Sequence, residues 1–378
     1  MLPGTGGLTD RPGHTGPVST ADESRPVREE DAVDVGAVVG WLRAHTDADV
    51  PDGEPEVRQF PGGASNLTYL LRWSGPGRAD DLRELILRRP PAGAKARGAH
   101  DMGREYLIQH ALGPVYPYVA GMVGLCTDAS VLGSDFYVME RLDGVILRKD
   151  LGFELSPAGA STLCEQAWEA FVRLHEVDVT RVPELASLGR GEGYVARQVS
   201  GWTDRMGRAA TDDLGDWGQL TTWLHRHQPA DSGQCLIHND WRFDNLVLDP
   251  DDDLRVVGVL DWEMATVGDP LMDLGGALAY WIQQDDDPFY REFRRQPTTV
   301  PGMWTRQQVI DWYGARRGIE MTGGRWRFYE AFGIFRLAVI IQQIWYRYVH
   351  GQTHNPAFAG FGEAVRYLEQ RTRRVVDA

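Results

Sequence analysis

Cysteine is scarce in this 378-residue chain: Cys126, Cys164 and Cys235 make an odd, widely spaced set of three. They form no zinc spacing and no disulfide framework, so a reducing, cytoplasmic setting is the simplest expectation. Basic excess is lacking too. Lys and Arg number 39 against 54 Asp and Glu, a formal net charge of −15. That argues against the basic face of a nucleic-acid binder. An acidic surface permits a cationic substrate but does not imply one. The opening residues lack the basic-then-apolar pattern of a signal segment. Long apolar runs are also missing. The best candidate, 328–349, is broken by Glu330, Arg336, Gln342 and Gln343, and reads as a buried helix rather than a membrane span. No internal repeat is present.

What the chain has is the composition of a globular protein, 42% hydrophobic and 25% charged. Its length exceeds one compact core, so two lobes or domains are expected. Residues 1–30, rich in Gly, Pro, Thr and charge, read as a disordered tail. Residues 31–46 have helical apolar spacing. A hairpin is expected over 56–73, around the turn Gly62-Gly63-Ala64-Ser65-Asn66, with a third strand at 84–91 that two prolines stop. A helix over 99–112 and a strand over 134–144 complete a small lobe, 31–143, of antiparallel strands with one inserted helix. The second lobe, 144–378, opens on a long helix after Ser156, with Pro157 in its first turn. It is mostly helical apart from two strand-and-polar-loop units.

Those two units carry the chemistry. CLIHNDWRFDNLVLD at 235–249 holds Asp240, Arg242 and Asn245 between two short strands. A turn, DPDDD, and a returning strand then end on Asp261. A hairpin brings its ends together, so Asn245 and Asp261 can sit side by side with Asp240 one loop away. The set suits phosphoryl transfer, which needs a carboxylate for the acceptor hydroxyl, oxygen ligands for Mg²⁺ and a cation over the moving group. Asp240 can serve as base, Asn245 and Asp261 as hard oxygen ligands, and Arg242 as the cation. His238 and His175 read as structural histidines, Asp244 as a turn residue, and Arg104 as a surface residue.

HNDWRFDN resembles the catalytic loop of kinase-like phosphotransferases, H-x-D-x₄-N, and LDWE at 260–263 resembles their metal-binding segment. GDPLMDLG at 268–275 is similar to the segment that follows in the aminoglycoside/choline kinase group. With LILRRPP and FYVMERLDG, the match is nearest to the acyl-CoA dehydrogenase-associated phosphotransferase subfamily. The resemblance implies an α+β, two-lobed protein-kinase-like fold, ATP as phosphoryl donor, Mg²⁺, and a small-molecule acceptor. By position it puts Arg88 in place of the strand lysine, with Glu105 as its partner and Arg89 as the competing residue. Gly62, Gly63, Ser65 and Asn66 would cover the phosphates. The segment from Met139 through Glu140 to Leu142 would be the adenine-reading hinge, and Asp273 would brace the catalytic loop. Two residues depart from the pattern: Arg88 for lysine, and Asn239 where glycine is usual.

The favoured reading is an ATP- and Mg²⁺-dependent kinase of a hydroxyl on a small molecule, a hydroxyacyl compound or hydroxyacyl-CoA being the subfamily's suggestion. An aminoglycoside or amino-alcohol kinase is the first alternative. A nucleotide-binding pseudoenzyme is the second, kept open by Arg88 and Asn239.

Overall fold

A computed structural model describes residues 24–61, 66–74, 82–91, 101–321 and 323–378. The expected turn residues Gly62, Gly63 and Ser65 lie outside the described residues, as does 1–23 of the expected tail.

The small lobe is built on one antiparallel sheet in the order β1-β2-β3-β4-β6-β5. Its strands are β1 (Arg25–Pro26), β2 (Glu56–Gln59), β3 (Leu67–Ser74), β4 (Leu82–Arg89), β5 (Met122–Cys126) and β6 (Phe136–Glu140). Helix α1 (Val35–His45) covers one face and α2 (Met102–Leu112) the other; a short α3 (Ala129–Leu132) follows β5. Strand alternation sorts the side chains. Tyr69, Leu71, Leu85 and Leu87 pack with Val38, Val39 and Leu42 of α1. Leu70, Ile86, Tyr137 and Met139 pack with Met102 of α2. Each helix starts on an aspartate cap: Ala37 N–H donates to Asp34 Oδ1 and Arg104 N–H to Asp101 Oδ1, both at 2.9 Å.

The tail expected over 1–30 is corrected at its end. Arg25 and Pro26 pair with Gln59 and Arg58. Arg58 Nε donates to Ser24 Oγ at 2.7 Å, and Gln59 Nε2 to Asp31 Oδ2 at 2.8 Å. Composition alone missed this, because a two-residue edge strand has no periodicity to detect. Deleting residues 1–30 strips Ser24 from Arg58 and, from buried Gln59, the Arg28 N–H that donates to its Oε1 at 3.2 Å, while the Gln59 bond to Asp31 stays. A loss of about 1–3 kcal/mol is expected, since a buried polar group left unpaired costs that much. Thermal denaturation of the truncated chain checks it; an unchanged melting temperature would make the pairing energetically idle.

The chain enters the second lobe at Gly144, whose φ is +150°. A side chain there would run into the Leu248 carbonyl. The close approach lets Val145 and Leu248 exchange backbone bonds of 2.8 and 2.9 Å, which fastens the lobe junction to the catalytic hairpin. The helices are α4 (Pro157–His175), α5 (Pro183–Ala186), α6 (Tyr194–Arg208), α7 (Gly218–His227), α8 (Pro270–Ala279), α9 (Pro288–Glu292), α10 (Arg306–Arg317), α11 (Gly323–Val349) and α12 (Phe361–Asp377). As expected, Ser156 caps α4, accepting from Gly159 N–H at 3.0 Å. Strands β7 (Cys235–Ile237) and β10 (Thr266–Gly268) form one ladder, β8 (Leu246–Asp249) and β9 (Arg255–Val259) the other. Helices α8 and α11 cross at Gly275 and Gly333, where any Cβ would overlap facing backbone. No helix among the described residues is long and apolar enough to cross a membrane.

Candidate active site

The catalytic-loop residues converge as their spacing requires. Leu246 pairs with Val259 across the hairpin, and Leu260 N–H donates to the Asn245 carbonyl at 2.8 Å. Asn245 and Asp261 therefore sit together. Asn245 Nδ2 donates to Asp240 Oδ2 at 3.0 Å and to the Asp240 carbonyl at 2.8 Å. That orientation commits the amide nitrogen and leaves Oδ1 as the available ligand atom. Arg242 Nη2 lies 3.2 Å from Asp240 Oδ2 and 3.3 Å from Asp244 Oδ2, with the guanidinium 5.3 Å from the Tyr280 ring centre. Burial pushes the Asp244 carboxyl up, against the pull of Arg242.

The loop is braced from beneath. Asp273, in the first turn of α8, accepts from His238 N–H and Asn239 N–H, both at 2.8 Å, and faces His175 Nε2 at 3.2 Å. Burial alone would raise its carboxyl; these N–H donors and the neighbouring imidazoles bring it below the ordinary range. His175 is buried, its other nitrogen 2.8 Å from Tyr313 Oη, the satisfied histidine that the sequence suggested. Asp240 N–H donates to His238 Nδ1 at 3.2 Å, so Nε2 carries the proton and donates to the Leu260 carbonyl at 2.9 Å. His238 thus ties the Asp240 loop to the Asp261 segment. Asn239 has φ +65°, a left-handed conformation that glycine and asparagine both reach readily. Its departure from the pattern is conformationally neutral, and its Nδ2 adds a bond to the Met264 carbonyl at 3.0 Å.

Across the cleft, Arg88 Nη1 meets Glu105 Oε1 at 2.6 Å, and Nη2 lies 3.8 Å from Asp261 Oδ1. Burial pushes Glu105 up, opposed by Arg88; its acidic and phenolic neighbours, against burial, hold Arg88 firmly charged. Tyr137 Oη donates to Glu105 Oε1 at 2.9 Å, and Asn66 Nδ2 lies 3.4 Å from Oε2. Arg89 faces the other way. It bonds the Asp31 carbonyl at 3.2 Å and lies 5.7 Å from the Tyr69 ring centre. Arg88→Ala is therefore expected to raise the KM for ATP and lower kcat, with Glu105→Gln a weaker version. Arg89→Ala should lower the melting temperature with little kinetic effect. Steady-state kinetics and thermal melts on the three variants check this; kinetic damage from Arg89→Ala alone would reverse the assignment.

The hinge segment is partly engaged, and one reading, that of Arg104, needs correction. Glu140 N–H donates to the Gly121 carbonyl at 2.8 Å, and its carboxylate takes Arg83 at 2.6 and 2.8 Å. Those two Glu140 groups are engaged within the small lobe; Met139 is buried under the sheet and Leu142 is half-buried beside it. Arg104 is no surface residue: its Nη1 donates to the Glu263 carbonyl at 2.9 Å and its Nη2 to the Ala265 carbonyl. It pins α2, and so Glu105, to the segment after Asp261. A link across 159 residues leaves no local sequence signal.

Asp261 has φ +64°. Its Oδ1 is sealed from solvent without a hydrogen-bond partner, a costly state for a carboxylate. A cation would resolve it. Among the described residues no group of three or more His, Cys, Asp or Glu is arranged for a metal. Mg²⁺ does not require one, since it takes one or two carboxylates and completes its shell with phosphates and water. Asp261 and Asn245 fit that donor set.

The phosphotransferase enzyme family profile, APH, matches residues 56–312. This chain belongs to that family. It is 33% identical over 330 residues to mouse acyl-CoA dehydrogenase family member 10, covering 87% of this chain and 30% of that protein. With mouse family member 11 it shares 35% identity over 296 residues, 78% of this chain and 37% of the relative. The chain thus spans only about a third of the length of these relatives. A Ralstonia eutropha protein, provisionally named an aminoglycoside phosphotransferase, superposes with TM-score 0.76 and 29% identity, over 92% of this chain and 99% of its own. The fold extends to a thermostable APH(4)-Ia variant bound to ADP and hygromycin B, with TM-score 0.53, 13% identity, and 91% and 98% coverage. The two-lobed, kinase-like α+β architecture is thereby shown.

Proposed function

We propose that this phosphotransferase moves the γ-phosphoryl group of ATP, with Mg²⁺, onto a hydroxyl of a small molecule in the cytoplasm. The observation that carries the reading is the meeting of Asp240, Asn245 and Asp261 on one edge of a cleft whose other edge is the Arg88–Glu105 pair. Asp240, oriented by the Asn245 amide and by Arg242, aligns the acceptor hydroxyl and takes its proton as the bond to phosphorus forms. Arg242 offsets charge on that side, and Arg88 is placed to hold donor phosphates. Asp261 and Asn245 would hold the metal, which when bound neutralises charge on the phosphate oxygens. The likeness to proteins named acyl-CoA dehydrogenase family members favours a hydroxylated acyl compound, including hydroxyacyl-CoA, as acceptor. No nucleic-acid or membrane partner is proposed.

The test is a coupled assay of nucleotide turnover with Mg²⁺ and either ATP or GTP, across hydroxyacyl-CoAs, aminoglycosides and amino alcohols. Turnover dependent on a hydroxyacyl compound supports the reading. Turnover with kanamycin alone would move the acceptor to the aminoglycosides. Nucleotide binding without any turnover would make the chain a pseudoenzyme.

A further inference from the structure

Arg336, on α11, is 8% exposed and lies directly behind the catalytic loop. Its Nη2 donates to the Asn239 carbonyl at 2.7 Å, one residue from Asp240. The guanidinium stands 5.3 Å from the Trp202 ring centre, and Arg205 stands 4.7 Å from the same ring. No carboxylate among the described residues pairs with either arginine. The acids of the loop are engaged elsewhere: Asp273 by His238, Asn239 and His175, and Asp240 by Arg242 and Asn245. Tyr280, just past the end of α8, and Tyr194 on α6 are the phenols beside Arg336.

A cation this deeply buried is normally neutralised by a protein carboxylate. Here one bond to a carbonyl is its only hydrogen bond among the described residues. A loop-bracing role would use that one bond and gain nothing from Arg205 and Trp202 alongside. A guanidinium fork matches carboxylate or phosphate oxygens in two-point contact. We infer that Arg336, with Arg205 beside it at Trp202, receives an anionic group of the acceptor and so holds the acceptor hydroxyl toward Asp240. The inference rests on the phosphotransferase reading for the word acceptor. It sets this chain apart from any kinase whose pocket is built for a polycation.

The experiment is calorimetric binding to the full chain in the presence of Mg–ADP, with three probes: hydroxybutyryl-CoA, free hydroxybutyrate and kanamycin. At least one anionic probe should bind more tightly than kanamycin. Capture of free hydroxybutyrate means that the site reads a carboxylate; capture of the thioester alone means that it reads the phosphates of CoA. Arg336→Met should weaken the bound anion at least tenfold, Arg336→Lys less, and exposed Arg205→Met about threefold. Mg–ADP affinity should hold in all three variants. The inference is overturned if neither anion binds, or if kanamycin binds more tightly. It also falls if Arg205→Met has no effect while Arg336→Met loses Mg–ADP and anion together, the mark of a residue that only braces the loop. Anion binding that depends on Arg336, in a chain without phosphoryl transfer to any acceptor, would keep this site and sink the proposed function.

Discussion

Asp240→Asn is expected to cut phosphoryl transfer by about 10²–10⁴, the usual cost of losing a positioned base. Mg–ATP affinity should stay near the parent value. The carboxylate carries its loop's converging donors on one oxygen, Oδ2, which faces Asn245 Nδ2 at 3.0 Å and Arg242 Nη2 at 3.2 Å. Asparagine keeps the shape and one acceptor oxygen, so the loop should remain seated on Asp273 and His238. What it cannot do is take a proton from the acceptor hydroxyl. The measurement is kcat at saturating acceptor beside calorimetric titration with Mg–ATP. A near-parent kcat would remove Asp240 from the chemistry. A joint loss of turnover and nucleotide binding would mean that the residue serves structure instead.

Asp261→Ala should abolish Mg²⁺-dependent nucleotide binding. Among the described residues, the cation in ion-pair range of the buried, unpartnered Oδ1 of Asp261 is Arg88, whose Nη2 lies 3.8 Å away, beyond hydrogen-bond range. Removing the carboxylate therefore breaks no hydrogen bond to this atom and should relieve a desolvation cost. The melting temperature of the free protein is expected to hold or rise, although alanine at φ +64° adds some backbone strain. Loss of ligand affinity without loss of fold would mark a metal ligand, and a large drop in melting temperature would mark a structural acid. Asn245→Ala should show a milder binding defect, since a neutral carboxamide holds a hard cation less strongly. It should also reduce kcat, because the same side chain orients Asp240. Unchanged Mg–ATP affinity in Asp261→Ala would count decisively against the metal assignment.

Much of the site was legible because it is local. Asp240, Arg242 and Asn245 lie within six residues, and a hairpin must bring Asp261 back beside Asn245. Asp273 follows from a similar local device. Asp269 caps α8, accepting from Leu271 and Met272 N–H at 2.8 and 3.0 Å, and Pro270 starts the helix. Asp273 then lies one turn on, facing the loop. The edges of the fold were less legible. Strand β5, five residues interrupted by Gly124, and the three-residue β10 are too short for strand alternation to stand out in the sequence. They are strands because β6 and β7 offer them partners.

The sequence by itself determined which carboxylates and carboxamide stand together, on what loop, and in a chain of which family. Only the tertiary structure decided between Arg88 and Arg89. Both occupy the same strand, and their burial is equal at 9% exposed; the choice lies in which helix covers which face of the sheet. It also decided that Glu140 pairs with Arg83 within the small lobe, that Arg104 ties α2 to the segment after Asp261, and that among the described residues Arg336 stands beside the Asp240 loop without a paired carboxylate. Each of these depends on a partner tens to hundreds of residues away. Local spacing fixes which side chains share a loop or a face, but burial against distant elements fixes what each of them meets.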